Sequence, residues 1–312
     1  MRPPAFPSRA VQSQAKANRS TRDHWAWFAS HRAEIQKLVL PDVAAPARPG
    51  CSVCVLGAGN CNDVDLEELT GRFARVHLVD IDGAAMEAAV RRQGVIGRPG
   101  LALSGGIDLT GVADMFPVWE KVPPTPADVA AASARATERV VPPAGGPFDV
   151  VLSPCLLSQL CGYATDVLGR AHPGRRELLL ALRTRHLRTV VDLLAPGGAG
   201  VIVCDVASST GYPQLAGTKR DRLAGLLDRL TYTDGGFDGL SPAAMREALR
   251  SDPLVASLLG SVQQVAPWLW HLGPARTFLV YALRIRRLTG PVVLGATAPP
   301  PSPSPTTRGF VS

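Results

Sequence analysis

The chain has 312 residues, a formal net charge of +7, six cysteines and 28 prolines. That proline share is nearly twice the usual value of about 5%. A chain of this length can bury a substantial core, and one large α/β domain with extensions is the default expectation. No apolar run approaches the roughly 18 residues that span a bilayer, and no signal-peptide core precedes a small-residue cleavage site. A soluble, cytoplasmic protein without a membrane partner is therefore expected.

Residues 1–20 read as a disordered basic arm, followed by a helix and linker over residues 21–47. Eight basic residues against Asp23, Glu34 and Asp42 leave +5 in residues 1–50, so most of the excess charge lies outside the rest of the chain. Such an arm can steer a protein to nucleic acid, or it can be a solvated tail. A transit peptide is disfavoured because Pro3, Pro4 and Pro7 spoil an amphipathic helix. Thr21 to Leu40 predicts a helix, with Trp25, Phe28, Ile35 and Leu38 near helical spacing and Pro41 ending it. It can pack on the core or cap a ligand cleft.

Cys51 to Asp82 reads as strand, glycine turn, helix and strand, with an acid closing the second strand. Cys51–Leu56 is an apolar run suited to a strand buried on both faces. Gly57, Ala58 and Gly59 follow, giving a tight turn and close approach to a ligand. Asp80, with Ile81 beside it, comes 21 residues after Gly59, about where a carboxylate meets ribose hydroxyls in a nucleotide-binding βαβ unit. The helix between starts with Asp63, Asp65, Glu67 and Glu68. Those carboxylates would repel a pyrophosphate, whereas the cationic, phosphate-free S-adenosylmethionine suits them. The third glycine of a dinucleotide fingerprint would fall at Asn62, a poor substitute.

This segment resembles the class I S-adenosylmethionine-dependent methyltransferases. Gly57 and Gly59 match the first two glycines of their first motif, while Val55 replaces its acidic residue and Cys61 its third glycine. Asp63 is the residue that would stand in for the missing acid. The resemblance implies a ribose-binding role for Asp80, and for Gly106-Ile107-Asp108-Leu109 the motif in which an acid after strand three meets the adenine amino group. Phe148–Ser153 resembles strand four, residues 193–198 the turn before strand five, and AGVIVCD that strand. Pro267–Leu272 and Ala275–Ile285 would form the terminal antiparallel hairpin. The expected fold is α/β: a doubly wound, mostly parallel seven-stranded sheet with that hairpin, over residues 48–288. A helical insertion over 207–262, between strands five and six, would shape the substrate pocket. Within it come helices near Lys219–Leu230 and Pro242–Leu259 and the loop TYTDGGFDG. Residues 111–147 read as a Pro-rich connection around a helix, Pro126–Val140, and residues 289–312 as a Pro-rich disordered tail.

The resemblance implies methyl transfer, with catalysis mainly by positioning. The expected cofactor-binding residues are Gly57, Ala58, Gly59, Asp80, Ile81, Asp108, Leu109 and Ser153. Ser153 and Pro154 match the start of the loop that holds target amines in amino-group methyltransferases, but Cys155 and Leu156 depart from it. Gln159 and Tyr163 are weaker candidates in the same stretch. No catalytic base is assigned. His186 falls in a basic helix, His271 at the hairpin and His172 in a loop, while Asp205 follows strand five and suits a cap, a turn or the pocket. Cys51 and Cys54 have C-x-x-C spacing, but in a strand residues three apart face opposite ways, so no metal site is expected. The acceptor expected is a small molecule. The alternatives are RNA or protein methylation through the basic arm, or a non-catalytic S-adenosylmethionine-binding protein.

Overall fold

A computed structural model of the chain describes residues 18–40, 50–138, 146–232, 239–274 and 276–290. Most of the expected basic arm, the linker after Leu40, most of the loop TYTDGGFDG and most of the Pro-rich tail lie outside these residues.

Among the described residues, seven strands form one sheet in the order β3-β2-β1-β4-β5-β7-β6. The strands are β1 (Ser52–Leu56), β2 (Arg75–Val79), β3 (Leu101–Ser104), β4 (Phe148–Pro154), β5 (Leu194–Ser208), β6 (Leu259–Leu272) and β7 (Arg276–Arg287). β1 to β5 are parallel, and β7 runs antiparallel between β5 and β6. This is the expected doubly wound sheet with a terminal hairpin. Because β6 and β7 meet at Leu272 and Arg276, the hairpin turn stands at the same edge as the carboxyl ends of the parallel strands. In such sheets, that edge at the point where strand order reverses is where ligands bind.

The strand sequences explain their places. All five residues of β1 are buried. Val53 and Val55 join the core cluster on one face, and Cys54 and Leu56 the cluster on the other. That alternation separates Cys54 from any partner on the opposite face. β6 starts at Leu259, eight residues before the expected Pro267. Pro267 falls inside a register shift between Val265 and Trp268. β6 is an edge strand, so a residue without an N–H is tolerated there at a bulge. Helix α8 (Pro242–Ser251) correspondingly stops short of Leu259. Pro253 disfavours helix at Asp252, whose carboxylate instead accepts from Leu254 N and Val255 N to cap a short second turn. The insertion is thus confined between Ser208 and Leu259. Its first helix, α7 (Leu223–Tyr232), starts after a 3₁₀ turn at Arg220–Arg222.

Of the other helices, α2 (Leu66–Arg72), α4 (Pro126–Thr137) and α6 (Arg175–Leu193) fall close to expectation, while α3 (Gly83–Arg92) and α5 (Leu156–Leu168) follow β2 and β4. The expected helix over Thr21–Leu40 is broken. A 3₁₀ turn, Trp25–Phe28, precedes α1 (Ala29–Val39), and the polar groups before it bond to the glycine turn instead. No helix among the described residues is long and apolar enough to cross a membrane.

Candidate functional site

The first wall of the site is a backbone construction. Gly57 N and Ala58 N both donate to Val79 O, at 2.8 and 3.1 Å, hooking the turn after β1 onto the end of β2. Gly57 has φ +72°, and a Cβ there would fall 2.7 Å from Leu156 Cδ1, so only glycine fits. Cys61 stands where the resemblance calls for a third glycine, and it takes φ +50° without being one. Asp80 receives two backbone bonds, from Gly59 N to Oδ2 (2.9 Å) and from Asp82 N to Oδ1 (2.7 Å). Burial pushes its pKa up to about 6, against the pull of those N–H groups. A carboxylate has about four lone-pair sites, so each Asp80 oxygen keeps accepting capacity. Asp82 caps α3 through Ala85 N and takes a bond from Asn18 Nδ2 at 3.0 Å.

Asp108 organises its own loop. Its Oδ1 accepts from Thr110 N and Oγ1 at 2.7 and 2.6 Å, and its Oδ2 from Ala113 N at 3.0 Å. The loop so held presents Asp108 and Leu109 to the same cavity as Gly57, Ala58, Gly59, Asp80 and Ile81. Seven of the eight sequence-derived residues are therefore brought together. Ser153 is not. It is fully buried in β4, with Oγ 2.8 Å from His186 Nε2 on α6. β4 runs one residue further than expected, to Pro154, and the next helix is capped at buried Cys155, so Ser153 stays within the sheet. Burial lowers the His186 pKa to about 4, making it a neutral core histidine.

The N-terminal segment also walls the cavity: Asn18, which sequence reasoning passed over, lines it together with Thr21 and Phe28 of the stretch expected to pack on the core or cap a cleft. Asn60 Nδ2 donates to Thr21 Oγ1 (3.1 Å) and Asn62 Nδ2 to Thr21 O (2.8 Å). Arg92 Nη2 bonds Asn60 O and Asn62 Oδ1, and Arg32 Nη1 bonds Asn62 O. Both guanidinium groups face the Trp25 ring, at 3.5 Å for Arg32 and 5.5 Å for Arg92. The segment therefore does both things open to it: Ile35 packs in the core and residues 18–28 close the cleft. The tandem Asn60 and Asn62 beside the glycine turn were the one sequence signal of this contact.

His31 on α1 was also missed. Trp268 Nε1 donates to His31 Nδ1 at 3.0 Å. An indole nitrogen can only donate, so the neutral imidazole carries its proton on Nε2. That atom lies 3.2 Å from Asp63 Oδ1 without hydrogen-bond geometry. Asp63 itself lines the cavity, on the loop after β1.

Beyond β4 the cavity is bounded by Cys155, Leu156, Gln159 and Tyr163, and by Trp270, Leu272 and Arg276 of the hairpin. Cys155 caps α5 in the left-handed conformation, φ +50°, and burial raises its thiol pKa well above the ordinary value. Asp205 lies within β5, not after it. It is half-buried, desolvation raises its pKa, and it accepts a bond from Ser158 Oγ, so it serves as neither helix cap nor turn. Tyr163 bonds Glu120 at 3.3 Å; burial and that neighbouring charge push its pKa up to about 12, which removes it as a base near neutrality. His172 holds a turn through Pro124 O and Gly174 N, and His271 bonds Thr277 Oγ1. No histidine is among the described residues lining the cavity, whose volume is about 520 Å³.

The strand order and terminal hairpin are those of the class I methyltransferase fold. No family model and no curated protein matches the chain. Among solved structures, it is similar to magnesium protoporphyrin IX methyltransferase from Synechocystis with bound SAH, at 12% identity and TM-score 0.45, covering 89% of this chain and 99% of that one. It is also similar to the N-methyltransferase NodS from Bradyrhizobium japonicum, at 13% identity and TM-score 0.42, covering 84% and 97%. A third, from Methanosarcina mazei, is described as one of the SAM-dependent methyltransferases, at 11% identity and TM-score 0.42, covering 78% and 95%. The fold assignment rests on strand order and register.

Proposed function

We propose that this chain is an S-adenosylmethionine-dependent methyltransferase acting on a small molecule enclosed in the cavity. The observation that carries this reading is Asp80, fixed by Gly59 N and Asp82 N beside the glycine turn, with accepting capacity left on both oxygens. A ribose diol supplies two donors to such a carboxylate. Asp63 suits the cofactor's ammonium group: it lines the cavity, and Val55, where the family's acid would stand, is fully buried. The loop held by Asp108 would receive the adenine. A dinucleotide fits less well. Leu66 N is taken by Gln93 Oε1 at 2.8 Å and Glu68 N by Asp65 Oδ1 at 2.9 Å, so donors a pyrophosphate needs at this helix start are occupied.

The cofactor would supply an electrophilic methyl carbon on a sulfonium, whose S–C bond breaks as the acceptor's lone pair forms the new bond. The chain's own part is to bind, align and exclude water. Phe28, Leu156 and Trp270 provide an apolar enclosure, and the 18–28 segment shields the glycine turn. The buried thiol of Cys155 stays protonated near neutrality, and no residue is assigned as a base. A pocket walled in this way supports a small acceptor over a polymer.

Calorimetric titration with S-adenosylmethionine, S-adenosylhomocysteine and NAD in parallel tests the proposal. Micromolar binding of the first two and none of NAD is expected. NAD binding alone would overturn it, as would silence from all three.

A further inference from the structure

Charge is unevenly spread around the cavity. Asp63, Asp80 and Asp108 lie on the loops after β1, β2 and β3, and Asp166 on α5. Arg276 is the single cation among the described lining residues. It opens β7 opposite Leu272, at the hairpin end of the site. The wall around it is aromatic. Trp270 stacks on His31 (4.4 Å, 17°) and on Phe278 (4.9 Å, 27°), with Phe28 4.8 Å away and tilted by 56°. The Arg276 guanidinium lies 5.7 Å from the Phe278 ring. Phe116 and Tyr163, also on the cavity, meet edge to face at 5.1 Å. Trp270 is 7% exposed, and its Nε1–H is buried without an acceptor among the described residues.

These features select a ligand. Rings held rigid by stacking favour a flat, unsaturated partner, since its packing costs little conformational entropy. Arg276 offers a planar fork matched to a carboxylate, and it would repel an ammonium. We propose that the methyl acceptor is a planar aromatic acid, its ring against Phe28 and Trp270 and its acidic group on Arg276. This rests on the methyltransferase reading and gives it a substrate class.

The test uses the full chain with saturating S-adenosylhomocysteine, whose binding is measured first. Benzoate, benzamide, benzylamine and cyclohexanecarboxylate are then compared by saturation-transfer NMR titration. Benzoate should bind about tenfold more tightly than the other three, a difference of about 1.4 kcal/mol. Arg276→Gln should reduce benzoate to the level of benzamide, and Arg276→Lys should restore part of the difference. Benzylamine binding as well as benzoate, or benzoate indifferent to Arg276→Gln, would overturn the acid. Cyclohexanecarboxylate equal to benzoate would overturn the aromatic ring. Failure of S-adenosylhomocysteine to bind would remove the methyltransferase reading itself. Its binding without any benzoate preference would remove the aromatic-acid proposal alone.

Discussion

The wall over β1–β3 and the wall over β4–β7 enclose one cavity but hold it by different means. In the first, backbone groups do the holding: Gly57 N and Ala58 N on Val79 O, Gly59 N and Asp82 N on Asp80, Thr110 N and Ala113 N on Asp108. In the second, side chains from distant segments do it, as His31, Trp268, Trp270 and Phe278 show. Backbone geometry tolerates few alternatives at each position, whereas a stacked aromatic cluster can be built from many residues. The first wall should therefore be brittle towards single substitutions and specific for the cofactor. The second should be tolerant and decide the acceptor.

The largest expected effect is on the first wall. Gly57→Val places a branched side chain where even a Cβ meets Leu156 Cδ1 at 2.7 Å, on a backbone with φ +72°. S-adenosylmethionine affinity should drop more than 100-fold, about 3 kcal/mol, in a variant whose circular dichroism still reports the fold. Retained affinity would sink the placement of the glycine turn.

Asp80→Asn comes next, at about 1–3 kcal/mol of binding through weakened charged hydrogen bonds. The pH dependence sharpens it. With the folded pKa raised from 3.8 to about 6, the native state binds the extra proton between those values, so apo stability falls as pH rises through that window. The amount is about 3 kcal/mol at most, from about 1.4 kcal/mol per unit. Cofactor binding should run the opposite way and weaken below pH 6, where Asp80 protonates. Across pH 4–8, titration should show that loss of affinity in the native protein and a flatter affinity profile in Asp80→Asn. The thermal stability of Asp80→Asn should rise more steeply with pH than that of the native protein, because the falling Asp80 contribution is gone. His186, with its folded pKa lowered, loses stability as pH falls from 6.5 towards about 4, so it opposes the Asp80 slope.

On the second wall the effects shrink. Trp268→Phe keeps the ring and removes the donor to His31 Nδ1, which should cost about 1 kcal/mol of stability and weaken S-adenosylmethionine a few-fold if His31 orients Asp63. A variant indistinguishable from wild type in both would leave that contact without consequence. The smallest effect on binding belongs to Ser153→Ala. It should lower the melting temperature by a few degrees, for about 1 kcal/mol lost with the His186 bond, and leave cofactor affinity unchanged. Weakened affinity there would return Ser153 to the site.

The contrast also explains what could be read from the sequence. A buried parallel strand, a glycine turn and a closing acid are local patterns, and Val53–Leu56, Gly57–Gly59 and Asp80 displayed them within thirty residues. Strand order came from the resemblance to the class I methyltransferases, whose motifs stand in sequence along the chain. Ser153 was placed from the match of Ser153-Pro154 to a family loop, whereas pairing of Ser153 and Pro154 with Ile202 and Val203 keeps it within the sheet. β6 was cut short because Pro267 reads as a breaker, and only its edge position in the sheet permits it. His31 had no motif around it. Its tautomer is set by Trp268, 237 residues away, and no local pattern encodes that.

The most direct test of the central claim is a crystal structure of the protein grown with S-adenosylhomocysteine. The account predicts the ribose hydroxyls on Asp80, the adenine beside the Asp108–Ala113 loop and the amino-acid end towards Asp63, with the thioether facing Cys155 and Trp270. The same molecule bound with its adenine at Trp270 and Arg276, or bound away from Asp80 altogether, would contradict it.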